Sequence, residues 1–175
     1  MALIQTVSPE NAEGKVKEIY DVMMERARVI PKPFQMMSAS PELLAIVHQS
    51  IGYYFRHPRL SFGLLTHIRM LVADHHKYGY CTDFNTGLLQ MLTDATDEQL
   101  DAVKKDPAKA ALDDKDRAML LFVLKAVKTP DSVNQKDMDA LHALGWTDKD
   151  ILDATHHGAD MVRHGILFKT FKMDQ

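Results

Sequence analysis

Apolar residues recur at spacings of three and four along most of this chain, which is the period of a helix that buries one face. The clearest example is the stretch 61–77, whose inward-facing positions are predicted to be Leu64, Leu65, Ile68, Leu71 and Val72. No segment alternates apolar and polar residues for long enough to predict a strand. The pattern therefore predicts an all-α fold.

Proline, glycine and capping residues divide this pattern into successive helices. Helices are predicted over residues 9–28, 41–57, 61–77, about 81–92, a short stretch between 96 and 107, 113–127, 134–144 and 148–171. Pro31 and Pro33 predict an extended connection that is packed down by the apolar residues after it. Gly79 is predicted to end the helix 61–77, so that the next helix begins at about Cys81 or Thr82. No low-complexity segment interrupts the pattern, and a single domain over residues 1–175 is expected.

Composition narrows the class of partner. The chain has 175 residues, 46% of them hydrophobic, which is enough to bury a core without a disulfide or a structural metal. A net charge of −3, with acidic and basic residues mixed, argues against nucleic acid or an anionic membrane as partner. One cysteine cannot form an internal disulfide, and there is neither a signal peptide nor a long apolar run, so a cytoplasmic protein is expected. Small molecules or other protein chains remain as partners.

Several short motifs, taken in order, are similar to those of one known family. They are Ala12-Glu13-Gly14-Lys15, Glu18-Ile19-Tyr20, Ile30-Pro31, Ser38-Ala39-Ser40-Pro41-Glu42-Leu43-Leu44, Tyr80-Cys81, Ala111-Leu112-Asp113, Asp116-Arg117-Ala118, Leu144-Gly145-Trp146-Thr147-Asp148 and Asp150-Ile151-Leu152-Asp153-Ala154. The chain thus resembles the alkylhydroperoxidase D and carboxymuconolactone decarboxylase family, in particular its peroxidase-related branch. The resemblance covers nearly the whole chain. It implies a single-domain helical bundle of the alkylhydroperoxidase D-like type, assembled as trimers or hexamers, in which the central helix pair forms the site.

The residues that carry catalysis in active members of that family are mostly replaced here. Those members have a Cys-x-x-Cys motif whose cysteines cycle between dithiol and disulfide, while a glutamate and a histidine relay protons. On this chain Cys81 matches the second cysteine, whereas Tyr78, Asn85 and Thr66 fall on the first cysteine, the histidine and the glutamate. Because none of these three side chains can form a disulfide or exchange a proton near pH 7, the dithiol cycle cannot run.

A single cysteine can still reduce a peroxide. If Cys81 lies at a helix N-terminus, the exposed amides and the macrodipole favour its thiolate, and the sulfenic acid formed on oxidation needs an external thiol reductant. His67, beside the position of the family glutamate, is the predicted proton carrier, with Tyr78 and Tyr80 nearby. The alternative is a buried cysteine that acts only as a small apolar residue.

A second candidate cluster lies on the last helix. His157, Asp160 and His164 are spaced three and four, so they project from one stripe that can hold zinc or iron. Nine histidines in a helical chain produce such spacings by chance, and the sequence shows no supporting groups around them. Neither a metal site nor any other cofactor is therefore predicted.

Three classes of function remain open. The first is the antioxidant reduction of hydroperoxides implied by the resemblance, with Cys81 as the reactive thiol. The second is a non-redox enzyme of the decarboxylase, lyase or isomerase type. The third is a homo-oligomer that binds a ligand or partner without catalysis. The replaced residues favour the second and third classes, since a shared fold does not fix a shared chemistry.

Overall fold

The computed structural model describes residues 2–173, apart from the side chains of residues 26 and 27. Within these residues the regular structure is helical and includes no strand, so the all-α prediction is confirmed. The α-helices are α1 (Gly14–Ala27), α2 (Lys32–Met37), α3 (Pro41–Phe55), α4 (Phe62–His75), α5 (Gly79–Thr93), α6 (Asp97–Lys105), α7 (Asp114–Lys128), α8 (Gln135–Ala143) and α9 (Asp148–Thr170). None of the helices in this part of the chain combines the length and the apolarity needed to cross a membrane.

The chain divides into two compact units. The terminal unit comprises Met1–His57 and Ile166–Gln175, and the central unit comprises Pro58–Gly165. In the terminal unit α3 packs against α1 and α2, around the buried side chains Tyr20, Met36 and Leu44. The N-terminal segment is attached to the end of the chain within this unit, because the Leu3 amide donates to the Phe171 carbonyl at 2.9 Å.

The central unit is built around α4. This helix packs against α5 and α7, and α8 packs against α7. The five predicted inward residues of α4 are all buried, which confirms the periodicity of this stretch: Leu64, Leu65, Ile68, Leu71 and Val72. Because α4 is enclosed by other helices, polar side chains on it are also buried and must find partners inside the protein.

The first helix begins later than predicted. Residues Pro9–Asn11 form only a short 3-10 turn, and α1 starts at Gly14. Ala12 has an extended backbone, and Gly14 has a φ of 52°, a left-handed conformation that cannot continue a right-handed helix. The predicted end near Arg28 is confirmed, since Arg28 caps α1 with a left-handed backbone.

The connection around Pro31 and Pro33 is helical and not extended. Pro33 lies in the first turn of α2, where the missing N–H has no partner in the helix anyway. The prediction that this segment is packed down is confirmed, because Phe34, Met36 and Met37 are buried.

The turn between α4 and α5 also differs from the prediction. Lys77, with a φ of 57°, takes the left-handed position that Gly79 was expected to supply. The Lys77 amide donates to the Asp74 carbonyl at 3.1 Å and the Tyr78 amide to the Ala73 carbonyl at 2.9 Å, which together form a Schellman ending. The turn therefore closes early, Gly79 is the first residue of α5, and Cys81 lies within the first turn of that helix.

Candidate functional site

The positions matched to the family site lie on α4 and α5 of the central unit. Thr66 and His67 are on α4, and Cys81 and Asn85 are one turn apart on α5; all four are buried. The Asn85 Nδ2 group donates to the Cys81 carbonyl at 2.8 Å, which fixes the orientation of the amide. Its Oδ1 atom is thereby turned toward α4.

Arg69 occupies the centre of this arrangement, although sequence analysis did not single it out. Its Nε donates to Asn85 Oδ1 at 2.8 Å, and its Nη2 donates to Thr66 Oγ1 at 2.9 Å. A third contact joins Nη1 to His157 Nε2 on α9 at 3.1 Å. Thr66, Arg69, Asn85 and His157 are called the Arg69 network below. Two of its members, Thr66 and Asn85, are the positions that the sequence resemblance matched to the family glutamate and histidine.

The Arg69 network fixes the protonation state of His157. Arginine can only donate hydrogen bonds, so the Nε2 atom of His157 must present its lone pair. Burial, and then the charge of Arg69, lower the pKa of His157 well below its ordinary value, while a bond to the Leu65 carbonyl opposes them. His157 is therefore neutral at pH 7 and carries its proton on Nδ1. With its lone pair directed at Arg69, it serves neither as a general base nor as an Nε2 metal ligand.

Arg69 itself keeps its charge without a carboxylate partner. Burial lowers the pKa of the guanidinium to about 10, which leaves it protonated at neutral pH. The hydrogen-bonding partners in its network are all neutral groups, and its Cζ lies 5.6 Å from the centre of the Phe62 ring. Among the residues that the structure describes, no aspartate or glutamate forms an ion pair with it.

Cys81 does not have the environment of a reactive thiol. Its side chain is 4% exposed, and burial raises the pKa of the thiol to about 11. The first-turn position in α5 favours the thiolate, but burial in apolar surroundings disfavours it more strongly. At neutral pH Cys81 is therefore a protonated, buried thiol.

His67, the predicted proton carrier, is oriented by its own helix. Its Nδ1 atom lies 2.8 Å from the Gly63 carbonyl, one turn earlier on α4, and since a carbonyl only accepts, Nδ1 carries the proton. Burial lowers the pKa of His67, so the ring is neutral near pH 7. Within residues 2–173 it makes no hydrogen bond to Cys81, and its role as proton carrier stays a prediction.

Tyr78, which the sequence resemblance matched to the first cysteine of the family motif, packs against α9. Its ring lies so close to Gly165 that a Cβ atom added there would be 1.9 Å from the tyrosine Cε2 atom. The ring also stacks on His76, with centroids 5.5 Å apart and planes 15° apart. Tyr80 stacks instead on Phe84, at 6.2 Å. Each of the two tyrosines thus stacks on an aromatic neighbour.

The structure brings two of the three metal candidates together, His164 Nδ1 and Asp160 Oδ2 at 3.4 Å, but turns His157 toward Arg69. His157 directs Nε2 at Arg69, and the Nδ1 of His164 lies 2.9 Å from the Asp160 backbone carbonyl. The Asp160 carboxylate pairs with Arg163 Nη2 at 2.6 Å. In the described part of the chain, no group of three or more histidine, cysteine, aspartate or glutamate side chains is arranged to hold a metal ion.

Solved structures of similar fold exist. A crystal structure from Ralstonia eutropha JMP134, described as an alkylhydroperoxidase AhpD core and an uncharacterized peroxidase-related protein, superposes with a TM-score of 0.82 at 21% identity, over 98% of this chain and 90% of that one. An uncharacterized peroxidase-related protein from Silicibacter sp. TM1040 gives a TM-score of 0.83 at 18% identity, with the same coverage. No protein-family model and no curated protein sequence matches this chain. The chain therefore has the AhpD-like fold.

Proposed function

We propose that this protein is a member of the alkylhydroperoxidase D and carboxymuconolactone decarboxylase family whose site binds a small molecule and does not run thiol chemistry. The site would be centred on the Arg69 network. The fold shared with the AhpD-core structures supports family membership, and the motifs along the chain support it independently.

The observation that argues against thiol chemistry is the protonation state of Cys81. A peroxide is attacked by a thiolate, and the raised pKa of this buried thiol leaves very little thiolate at neutral pH. Tyr78 offers no second sulfur for a disulfide, and Thr66 and Asn85 offer no proton relay. The family's catalytic steps therefore lack both their nucleophile and their acid–base groups.

The Arg69 network supports the proposal that this site binds a small molecule. Its hydrogen bonds hold a guanidinium in one orientation on three helices, α4, α5 and α9. Rigid donors supported by surrounding hydrogen bonds are what a specific small-molecule site requires. No described group in the network is poised to move a proton, which favours binding over acid–base catalysis.

Oxidation of Cys81 by hydrogen peroxide and by an alkyl hydroperoxide at pH 7 tests this proposal. We expect intact-mass measurements to show slow oxidation, and alkylation of the thiol to rise only above the free-cysteine pKa of about 8.5. Since each of the 11 methionines also gains one oxygen on oxidation, the Cys81→Ser variant supplies the background. Rapid oxidation that disappears in Cys81→Ser would refute the non-redox proposal.

The second candidate is a one-cysteine peroxidase. It is favoured by one observation, that Cys81 lies in the first turn of α5, where backbone amides stabilise an anion. This mechanism needs an external thiol to reduce the sulfenic acid. The same experiment decides between the two candidates, because only the peroxidase requires a thiolate near pH 7.

We further propose that the protein is a cytoplasmic homo-oligomer, a trimer or hexamer as the resemblance implies. Exposed apolar side chains on one stripe of α3, Leu43, Ile46 and Tyr53, support an interface between copies. The mixed surface charge fits neither nucleic acid nor an anionic membrane as partner.

A further inference from the structure

Arg69 is a cation whose charge the protein leaves uncompensated. The side chain is half-buried, and burial lowers the pKa of the guanidinium to about 10, so this charge is partly removed from water. Charged groups in such positions are ordinarily paired with a group of opposite charge, because desolvation without a partner is costly. Elsewhere in the central unit half-buried cations follow this rule: Lys125 pairs with Asp137 at 2.6 Å, and Arg117 pairs with Asp114 at 2.7 Å. Among the described residues of this unit, Arg69 has only neutral acceptors.

The hydrogen bonds of Arg69 also leave a defined set of donors. A guanidinium carries five N–H groups, of which Asn85, Thr66 and His157 take one each. Nε is used, and one N–H group remains on each of Nη1 and Nη2. A planar ligand that accepts from both Nη1 and Nη2 approaches the end of the guanidinium in its own plane. The Phe62 ring lies beside the guanidinium, with its centroid 5.6 Å from Arg69 Cζ.

We propose that Arg69 binds the carboxylate of a small organic monoacid, held end-on by the remaining N–H groups of Nη1 and Nη2. This inference rests on the proposed function, since it names the ligand class for the same site. A carboxylate has two oxygens and one negative charge, which matches two donors and one positive charge in number and geometry.

Other anions fit this place less well. Phosphate carries more than one charge near neutral pH, and the network supplies a single cation, because His157 is neutral. A neutral amide matches the shape of a carboxylate but brings no charge to compensate Arg69. A site that has only one fixed charge therefore distinguishes ligands by net charge as well as by shape.

Calorimetric titration of the full-length protein with benzoate, benzamide and inorganic phosphate tests the proposal. We expect benzoate to bind with a Kd below about 1 mM, and benzamide and phosphate to bind at least about tenfold more weakly. The Arg69→Gln variant should lose benzoate binding. Arg163→Gln is the matched control, because it also removes a positive charge from the central unit, but from an exposed arginine that already has a carboxylate partner.

A second variant keeps the test valid if Arg69→Gln fails to fold. Asn85→Asp nearly preserves the shape of the side chain and places a carboxylate against Arg69 Nε, at the position of the present 2.8 Å contact, although it removes the hydrogen bond to the Cys81 carbonyl. The protein then supplies the counterion itself, so benzoate affinity should fall by about tenfold or more although Arg69 is retained. Unchanged affinity in Asn85→Asp would contradict a charge-compensated site.

The outcomes separate this inference from the proposed function. If benzoate does not bind at about 1 mM, or binds no better than benzamide, the carboxylate site is wrong whatever the reactivity of Cys81. If benzoate binds through Arg69 but Cys81 is rapidly oxidised by peroxide, the carboxylate site stands and the non-redox function is wrong. Binding that survives in Arg69→Gln overturns the assignment to Arg69.

Discussion

At Cys81 two physical effects act in opposite directions. The first turn of a helix stabilises an anion by about 0.3–1 kcal/mol, and up to about 2 kcal/mol in partly buried sites. A rise in the thiol pKa from 9.0 to about 11 corresponds to about 3 kcal/mol against the thiolate. Burial is therefore the larger effect, and the helix position that sequence analysis relied on does not make this cysteine reactive.

The buried thiol also makes folding stability depend on alkaline pH. Because the pKa is raised from 9.0 to about 11 in the folded state, the folded protein holds the proton more tightly than the unfolded chain over that interval. The contribution of Cys81 to stability is complete below pH 9 and is lost as pH rises through about 11. We expect wild-type protein to lose roughly 2 to 3 kcal/mol more than Cys81→Ala across this range, measured by urea unfolding.

The comparison with Cys81→Ala isolates the thiol from other groups that titrate at high pH, such as Tyr78, whose pKa is raised by burial and then by Cys81. Below pH 9 we expect the variant to be less stable than wild type because it leaves a small cavity, so the slope of stability with pH is the quantity to compare. Equal slopes in the two proteins would mean that Cys81 is not desolvated in the folded state.

The Arg69 network shows what residue-level sequence reasoning misses. Thr66 and Asn85 were identified only through the family resemblance, and as losses. Arg69 carries no motif, and an arginine on a helix is usually a solvated surface residue. His157 lies 88 positions from Arg69, so no local spacing connects them. One signal was present: Thr66 and Arg69, two polar residues in the middle of a largely apolar stretch, are spaced by three.

At the scale of helices, the predicted helix starts were the most reliable signals. The helices predicted to begin at residues 61, 113 and 134 each begin one residue later in the structure, where Ser61, Asp113 and Asn134 accept a backbone amide with their side chains. Apolar spacing was less reliable. Leu43, Leu92 and Leu121 fit an inward face by periodicity, yet all three are exposed. A capping hydrogen bond forms between residues of the same helical turn, whereas the burial of a side chain depends on which other element packs against that face of the helix.

Gly165 is a second position at which a neighbouring element determines which side chain fits. In α9 it allows the Tyr78 ring to lie directly against the helix backbone. Gly165→Ala should lower the free energy of unfolding by about 1–3 kcal/mol, because the new methyl group must displace a buried ring. Gly87→Ala, in α5, is the control: nothing lies within 4 Å of the added Cβ, so it should raise the free energy of unfolding by about 0.5–1 kcal/mol.

A double-mutant cycle tests whether contact with the Tyr78 ring accounts for the cost of Gly165→Ala. If the ring is what the methyl group displaces, Gly165→Ala should cost much less in a Tyr78→Ala background, and the two substitutions should be non-additive. Additive losses in urea unfolding would show that Gly165 is needed for a different reason.

At the scale of the whole molecule, the exposed apolar stripe on α3 bears on assembly. Ile46 is 61% exposed and shares its face with Leu43 and Tyr53. Light scattering at micromolar concentration should give the mass of a trimer or hexamer, and Ile46→Glu should reduce it, because an unpaired charge in an apolar interface is costly. Ala140→Glu adds the same charge on the exposed face of α8 and should leave the mass unchanged.

A monomeric wild-type protein would contradict the proposed assembly. A mass that falls equally in both variants would indicate a general effect of charge, and an oligomer that survives in Ile46→Glu would exclude the α3 stripe as the interface.

The sequence by itself determined the helical class, most helix ends and the absence of the second cysteine that an internal disulfide needs. These follow from local physics: a helix is specified by its apolar period and its caps within a few residues, and a missing sulfur is absent in any fold. The tertiary structure decided the state of Cys81, the closeness of Tyr78 to Gly165, and the convergence of Thr66, Asn85 and His157 on Arg69. Burial, pKa values and partners depend on groups brought together from distant parts of the chain, and no local pattern encodes them.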